Sequence, residues 1–175
     1  MAVPRKMLGK TDDPAVKALM ELIGGQSWDT LAAWAAAWVR EAYLPLYEAA
    51  FPGDRRPRSA LDGCRKCLAG EMPWQELNPL VHAVREAAKE SGAIPAAQAA
   101  ARAIATACAV HATPANALGF VFYGAAAAAY GAEGVHTSAA RLDELAAREE
   151  RRILKSLRAA AVENEPCSVE IDWHC

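Results

Sequence analysis

The sequence predicts an all-α protein, a single compact bundle of about six or seven helices. Helix-start signals recur along the chain, each a Ser, Thr, Asp, Asn or Pro placed ahead of an apolar-periodic run. Alanine, the strongest helix former, makes up about a quarter of a chain that is 53% hydrophobic but only 7% aromatic. No set of alternating segments is present from which a sheet could be built.

The first helix follows from "TDDPAVKALMELIGG". Asp13 is the N-cap, Pro14 takes the first helical position, and Gly24 is the stop. Val16, Leu19, Met20 and Ile23 fall on one face. Ser27 caps the second helix, whose stripe is Leu31, Trp34, Trp38 and Ala42. Pro45 cannot donate to the carbonyl of Glu41, so the helix kinks or breaks there. Leu44, Leu46 and Tyr47 keep the apolar character until Gly53.

Pro57 opens the next helix, where Leu61, Cys64, Cys67 and Leu68 share a face and Gly70 ends it. "EMPWQELNP" reads as a loop carrying Trp74. Asn78 and Pro79 then start a short helix that Gly92 stops. Pro95 starts an alanine-rich helix reaching His111. Thr113, as N-cap, and Pro114 open another that reaches Tyr130. After the loop "GAEGVHTS", Thr137 or Ser138 caps a last long helix with Leu142, Leu145, Ile153, Leu154 and Leu157 inward and "REERR" on a solvated face. Val169, Ile171 and Trp173 alternate, which suits a short extended segment.

At 175 residues the chain is long enough for one sizeable core. The expected division is a flexible N-terminus over 1–10, a helical domain over 11–162 and an irregular or extended tail over 163–175. Alanine buries little area, so the Trp, Tyr and Phe residues are the expected keystones. A net charge of −2 argues against general affinity for nucleic acid or anionic membrane. Arg102, His111 and Gly131 interrupt every apolar run before the ~18 residues that a membrane span needs. The N-terminus lacks an apolar signal-peptide core, and five Cys without an export signal read as reduced cytosolic thiols.

Motifs for chemistry are weak. "CRKC" (Cys64 to Cys67) lacks a second pair for zinc and lacks the strand-then-helix setting of redox sites, so the pair reads as core. Cys167, His174 and Cys175 could ligate a metal only through an accident of folding. No catalytic residue, cofactor or metal is expected. "GDRRPRS" places Arg55, Arg56 and Arg58 together, and such forks suit carboxylate or phosphate partners.

"CAVHATPANALG" is the least ordinary stretch. His111 ends one helix, where it can meet terminal carbonyls, and Thr113 and Pro114 turn the corner. Gly119 and Gly124 each cost about 1 kcal/mol against Ala. They point to close approach of another backbone. The alternative for this corner is a pocket lined by His111, Thr113 and Asn116.

"AAWAAAWVREAYLPLYEAAFPGDRRPRSALDGCRKCLAGE" resembles the opening of the Imm-five-like family of putative immunity proteins. The corresponding residues are Leu44 to Glu48, Asp54 to Ala60, and Gly70–Glu71. "AAARAIATACAVHATPANALGFVFYG" is similar to the family's second block, with its His-containing corner, "ALG" and Tyr. The resemblance runs over roughly residues 29 to 158. In the family pattern a His often precedes "ALG", where this chain has Asn116. The resemblance implies a small bacterial cytosolic protein that binds and neutralises a cognate toxin without being an enzyme. It carries over no catalytic residue. The candidate contact residues are therefore Arg55, Arg56, Arg58, His111, Thr113 and Asn116. Two other function classes stay open: a helical enzyme or small-ligand binder at the His111 corner, with Arg56 and Arg58 beside it, and a metal or redox protein using Cys64 and Cys67.

Overall fold

The computed structural model describes residues 3–174. Its helices are α1 (Pro14–Gly24), α2 (Trp28–Ala42), α3 (Leu44–Ala50), α4 (Arg56–Leu68), α5 (Trp74–Glu90), α6 (Pro95–Cys108), α7 (Asn116–Glu133) and α8 (Ala139–Ala160). A 3-10 turn, Ala109–His111, extends α6. Only Tyr43 separates α2 from α3, and its N–H still reaches the Val39 carbonyl at 3.0 Å. The two therefore act as one bent rod, bent because Pro45 has no N–H for Glu41, and the bundle has seven rods in all.

Three helix starts follow the cap rule. Asp13 accepts from Ala15 N–H, Ser27 from Thr30 N–H and Ser138 from Arg141 N–H. Two depart from the sequence reading. The expected loop "EMPWQELNP" instead supplies the first turns of α5, with Pro79 inside the helix. Leu77, Val81, Val84 and Ala88 are all buried on one stripe that continues past Pro79, which sits on the exposed face. That burial offsets the single backbone bond Pro79 forgoes. Likewise α7 does not begin at Pro114. Thr113 N–H closes back onto the Ala109 carbonyl at 3.0 Å, so Thr113 ends the outgoing helix. A tight turn then carries the Thr113 and Pro114 carbonyls onto the N–H groups of Asn116 and Ala117, and α7 starts at Asn116.

Helix α6 is the centre. Ala97, Ala99, Ala100, Ala101, Ala103, Ala105 and Ala107 are buried around nearly its whole circumference. Methyl-sized side chains let α7 lie along it while α2, α3, α4 and α5 close the other sides. Each Ala contributes only about 0.8 kcal/mol of burial, against 1.5–3 kcal/mol for a large apolar side chain. The large residues therefore matter: Tyr43, Tyr47 and Phe120 are wholly buried, and Trp34 packs on Phe120 with ring centroids 5.1 Å apart. Trp28 is the exception, 43% exposed with its Nε1–H given to the Val110 carbonyl.

Helices α1 and α8 cover the far side of α7. The segment before α1 crosses this side: Leu8 is buried, its N–H donates to the Phe122 carbonyl at 3.1 Å, and Tyr130 donates to the Arg5 carbonyl at 2.9 Å. At the other end, residues 161–174 leave the helical code and return to the start of α2. Gln26 exchanges side-chain bonds with Val162, and Val169 N–H reaches the Gln26 carbonyl at 2.8 Å. Glu165 accepts from Ser27 N–H, Ser27 Oγ and Thr30 Oγ1, placing a negative charge at a helix N-terminus.

Candidate functional site

The α2–α8 face carries a polar network that no motif announced. Tyr43 ends α2 and turns its hydroxyl inward, where it donates to Glu149 of α8 at 2.7 Å. Glu149 is buried, and its second oxygen accepts from Arg152 at 2.6 Å. Trp38 Nε1–H donates to the Tyr43 hydroxyl at 3.1 Å, and the Arg152 guanidinium lies 5.5 Å from the centre of the Trp38 ring. Burial and then the Glu149 charge push the Tyr43 phenol well above its ordinary range, so it acts as a donor.

Trp38 is thereby fixed as a wall between two hollows. One, of about 390 Å³, has Glu41, Leu46, Gly131, Glu149 and Arg152 around it. The other, of about 340 Å³, is mostly apolar and is bounded by Trp34, Ala37, Ser156, Ala159 and Ala160. Trp34 is anchored by its Nε1–H to Ser156 Oγ at 2.8 Å.

The Arg cluster lies elsewhere, between α3, α4 and α5. Arg56 grips both Asp54 oxygens at 2.7 and 3.0 Å and reaches Glu90 at 2.6 Å. Arg58 forms a two-bond fork with Glu48 at 2.7 and 2.8 Å. Tyr47 donates to Asp54 at 2.7 Å. The Arg56 fork, helped by Tyr47, holds the Asp54 carboxyl down to about 2. Two of the three guanidinium groups thus join the protein's own elements. Arg55 stands exposed beside an open hollow of about 610 Å³ that also touches Ser59, Leu80 and Ala83.

The corner residues separate. Asn116 Nδ2 donates to the Ala109 carbonyl at 3.1 Å, filling the terminal-carbonyl role expected of His111. Thr113 is exposed. His111 turns instead toward Cys64, and its buried Nε2 has no hydrogen-bond partner among the described residues. Gly119 and Gly124 do mark close approaches, but to side chains of other elements rather than to backbone. A Cβ on Gly119 would lie 3.3 Å from Thr106 Cγ2, and one on Gly124 would lie 2.3 Å from the Tyr43 hydroxyl oxygen.

The fold also re-pairs the cysteines. Cys64 and Cys108, both fully buried, face each other across α4 and α6, while Cys67 points to a half-exposed position. The Cys108 thiol, with His111 beyond it, lowers the Cys64 pKa, and the same contact raises that of Cys108. In the tail, Cys167 is exposed, His174 lies 3.4 Å from Asp172, and Cys175 is outside the described residues. Among the described residues no group of three or more His, Cys, Asp or Glu is arranged to hold a metal ion.

Sequence reasoning missed Tyr43, Glu149 and Glu150. The two glutamates sit within "REERR", which reads as solvated, yet both are buried. The available signal was Gly124, a glycine ahead of five alanines: it marks where Tyr43 lies, though nothing local says which residue approaches.

The fold and site together define an alanine-rich all-α bundle with an aromatic-walled, arginine-edged surface between two helices. The chain belongs to the family described as Imm-5 like putative immunity protein, which matches residues 21–156. No curated protein and no solved structure matches it significantly. Among the described residues no helix is long and apolar enough to cross a membrane.

Proposed function

We propose that the chain is a non-enzymatic cytoplasmic protein that neutralises a cognate bacterial toxin by binding it directly through the α2–α8 face. The observation that carries this choice of face is Trp38, held rigid between two hollows by Tyr43 and Arg152. Binding energy concentrates on pre-ordered Trp, Tyr and Arg side chains beside pockets that a partner can fill. Membership of an immunity-protein family supports the class of function.

The Arg55–Arg58 corner is the weaker surface because Arg56 and Arg58 already hold Asp54, Glu90 and Glu48. At the His111 corner, Asn116 is engaged with backbone and Thr113 is exposed, which favours a joint over a ligand pocket.

The test is a search of the neighbouring genes for a toxin domain, followed by co-expression of that domain with this chain. The wild-type chain restores growth and binds the purified domain, and Trp38→Ala weakens binding by about ten-fold or more while the fold is kept. Failure of the wild-type chain to rescue or bind contradicts the proposal.

A further inference from the structure

In the sequence, "REERR" sets three arginines against two glutamates, close to neutral. In the fold the surface it leaves is far from neutral. Glu149 is taken inward by Tyr43 and Arg152, and Glu150 is buried beneath Gly9. What remains in solvent on the second half of α8 is cationic: Arg148, Arg151, Arg152, Lys155 and Arg158 are all exposed.

Four of these, Arg148, Arg151, Lys155 and Arg158, recur at i, i+3, i+7 and i+10. That spacing puts them on one crest of the helix over about 15 Å. None of the four forms an ion pair among the described residues, whereas Arg5, Arg40, Arg56, Arg58, Arg141 and Arg152 all do. Three acidic groups on neighbouring elements are engaged elsewhere, while Glu21, Glu41 and Glu163 are exposed and form no ion pair with the crest among the described residues. Glu133, which lies within electrostatic reach of Arg148, is held by Arg141 at 2.6 Å. Asp13 caps α1, and Glu165 caps α2. Four like charges on one crest repel one another; Glu133 and the buried Glu150 lie within electrostatic reach of Arg148 and Arg151 but form no ion pair with them.

We infer that the crest Arg148–Arg151–Lys155–Arg158, with the Trp38 hollows beside it, docks an acidic face of a folded protein partner. This rests on the binding role proposed above and assigns the partner's chemistry. Arg152 joins the two parts, since it stands on the crest side of α8 and reaches the Trp38 ring. A protein partner fits better than nucleic acid or membrane for two reasons. The chain as a whole is net −2, so the positive field is confined to this stripe. The stripe also adjoins a hollow walled by Trp34, Trp38 and three alanines, with Ser156 and the Glu41 carboxylate on its lining, which takes an apolar side chain and repels a phosphate. Aromatic and Arg side chains are enriched in protein interfaces, inside a polar rim.

The experiment takes the toxin domain found by the co-expression test above and measures its binding kinetics, purified, at several salt concentrations. The variants are Arg148→Glu, Arg151→Glu, Lys155→Glu and Arg158→Glu combined, the same four changed to Gln, and a control, Arg65→Glu with Lys66→Glu, on exposed α4 positions. Circular dichroism checks that each is folded, and the Gln variant serves where the Glu variant is not. The inference expects wild-type association to slow as salt rises. It expects the Glu set to lose about a hundred-fold in affinity, mostly in association rate, the Gln set to lose less, and the control to bind like wild type. Wild-type affinity in the folded crest variants overturns the inference and leaves the binding role standing. A wild-type chain that does not bind the domain at all overturns both. Duplex DNA or phosphatidylserine vesicles binding through the crest, with toxin affinity untouched by the substitutions, assigns the crest to another partner and also overturns it.

Discussion

The Tyr43 hydroxyl reaches the buried Glu149 carboxylate at 2.7 Å because residue 124 has no side chain. A Cβ on Gly124 would lie 2.3 Å from that hydroxyl oxygen and 2.6 Å from two ring carbons. The rigid position of Trp38, and with it the candidate surface, depends on this one contact between α3's entry and the middle of α7.

Gly124→Ala is therefore expected to destabilise the fold by about 1–3 kcal/mol, the usual cost of overpacking a filled core. Gly119→Ala is the comparison, because only Thr106 Cγ2 at 3.3 Å resists it. There a helix-propensity gain of about 1 kcal/mol offsets the crowding, and the net change is small. Urea denaturation of the two variants checks the contrast. Equal losses would mean that Tyr43 does not lie where Gly124 admits it.

Tyr43→Phe removes the donor and leaves one oxygen of a buried carboxylate without its partner, a loss of about 1–3 kcal/mol. Trp38 also loses its acceptor, so tryptophan fluorescence should shift along with the stability. A stable variant with unchanged fluorescence would show the network to be incidental.

Glu150 gives a pH signature. Burial, then the Asp13 charge, pushes its carboxyl up to about 7, and one oxygen has no hydrogen-bond partner among the described residues. A folded pKa above the ordinary 4.5 means that the folded state holds the proton more tightly. Its contribution is fully present below 4.5 and is lost as pH rises through 7. Relative to Glu150→Gln, the wild type should lose up to about 3 kcal/mol across that window. Denaturation midpoints of both proteins at several pH values test this, and parallel curves would contradict it.

The cysteines make a chemical prediction. Under native conditions a thiol-alkylating reagent should modify Cys167 first and Cys67 more slowly. Cys64 and Cys108 should react only as the fold opens, since both are fully buried against each other. Mass spectrometry of labelled peptides resolves the order. Cys64 reacting as fast as Cys167 would mean that the α4–α6 contact is open in solution.

How far the sequence could be read follows the range of the interaction. Asp13, Ser27 and Ser138 cap helices through bonds to residues two or three positions away, and those starts were legible. At Pro79 the local rule of helix termination lost to a buried stripe that packs against other helices. At Thr113 the cap residue bonded backward, to Ala109, a choice that composition does not encode.

The site depended on distance still more. Glu149 and Glu150 resemble any charged surface pair until Tyr43, 106 positions away, and Gly9 cover them. Arg56 finds its main acceptor in Asp54, two residues away and legible in "GDRRPRS", whereas Glu90 and Glu48, which complete the pairing of Arg56 and Arg58, stand in no fixed phase with the cluster. Only Gly124 left a trace, as an unforced loss of helix propensity.

Hydrogen exchange of the chain with the toxin domain proposed as its partner tests the central claim most directly. The account predicts new amide protection on α2 around Trp34–Glu41 and on α8 around Arg148–Ala160. Protection confined to residues 53–59, or to the corner at 109–116, with α2 and α8 unchanged, would contradict it.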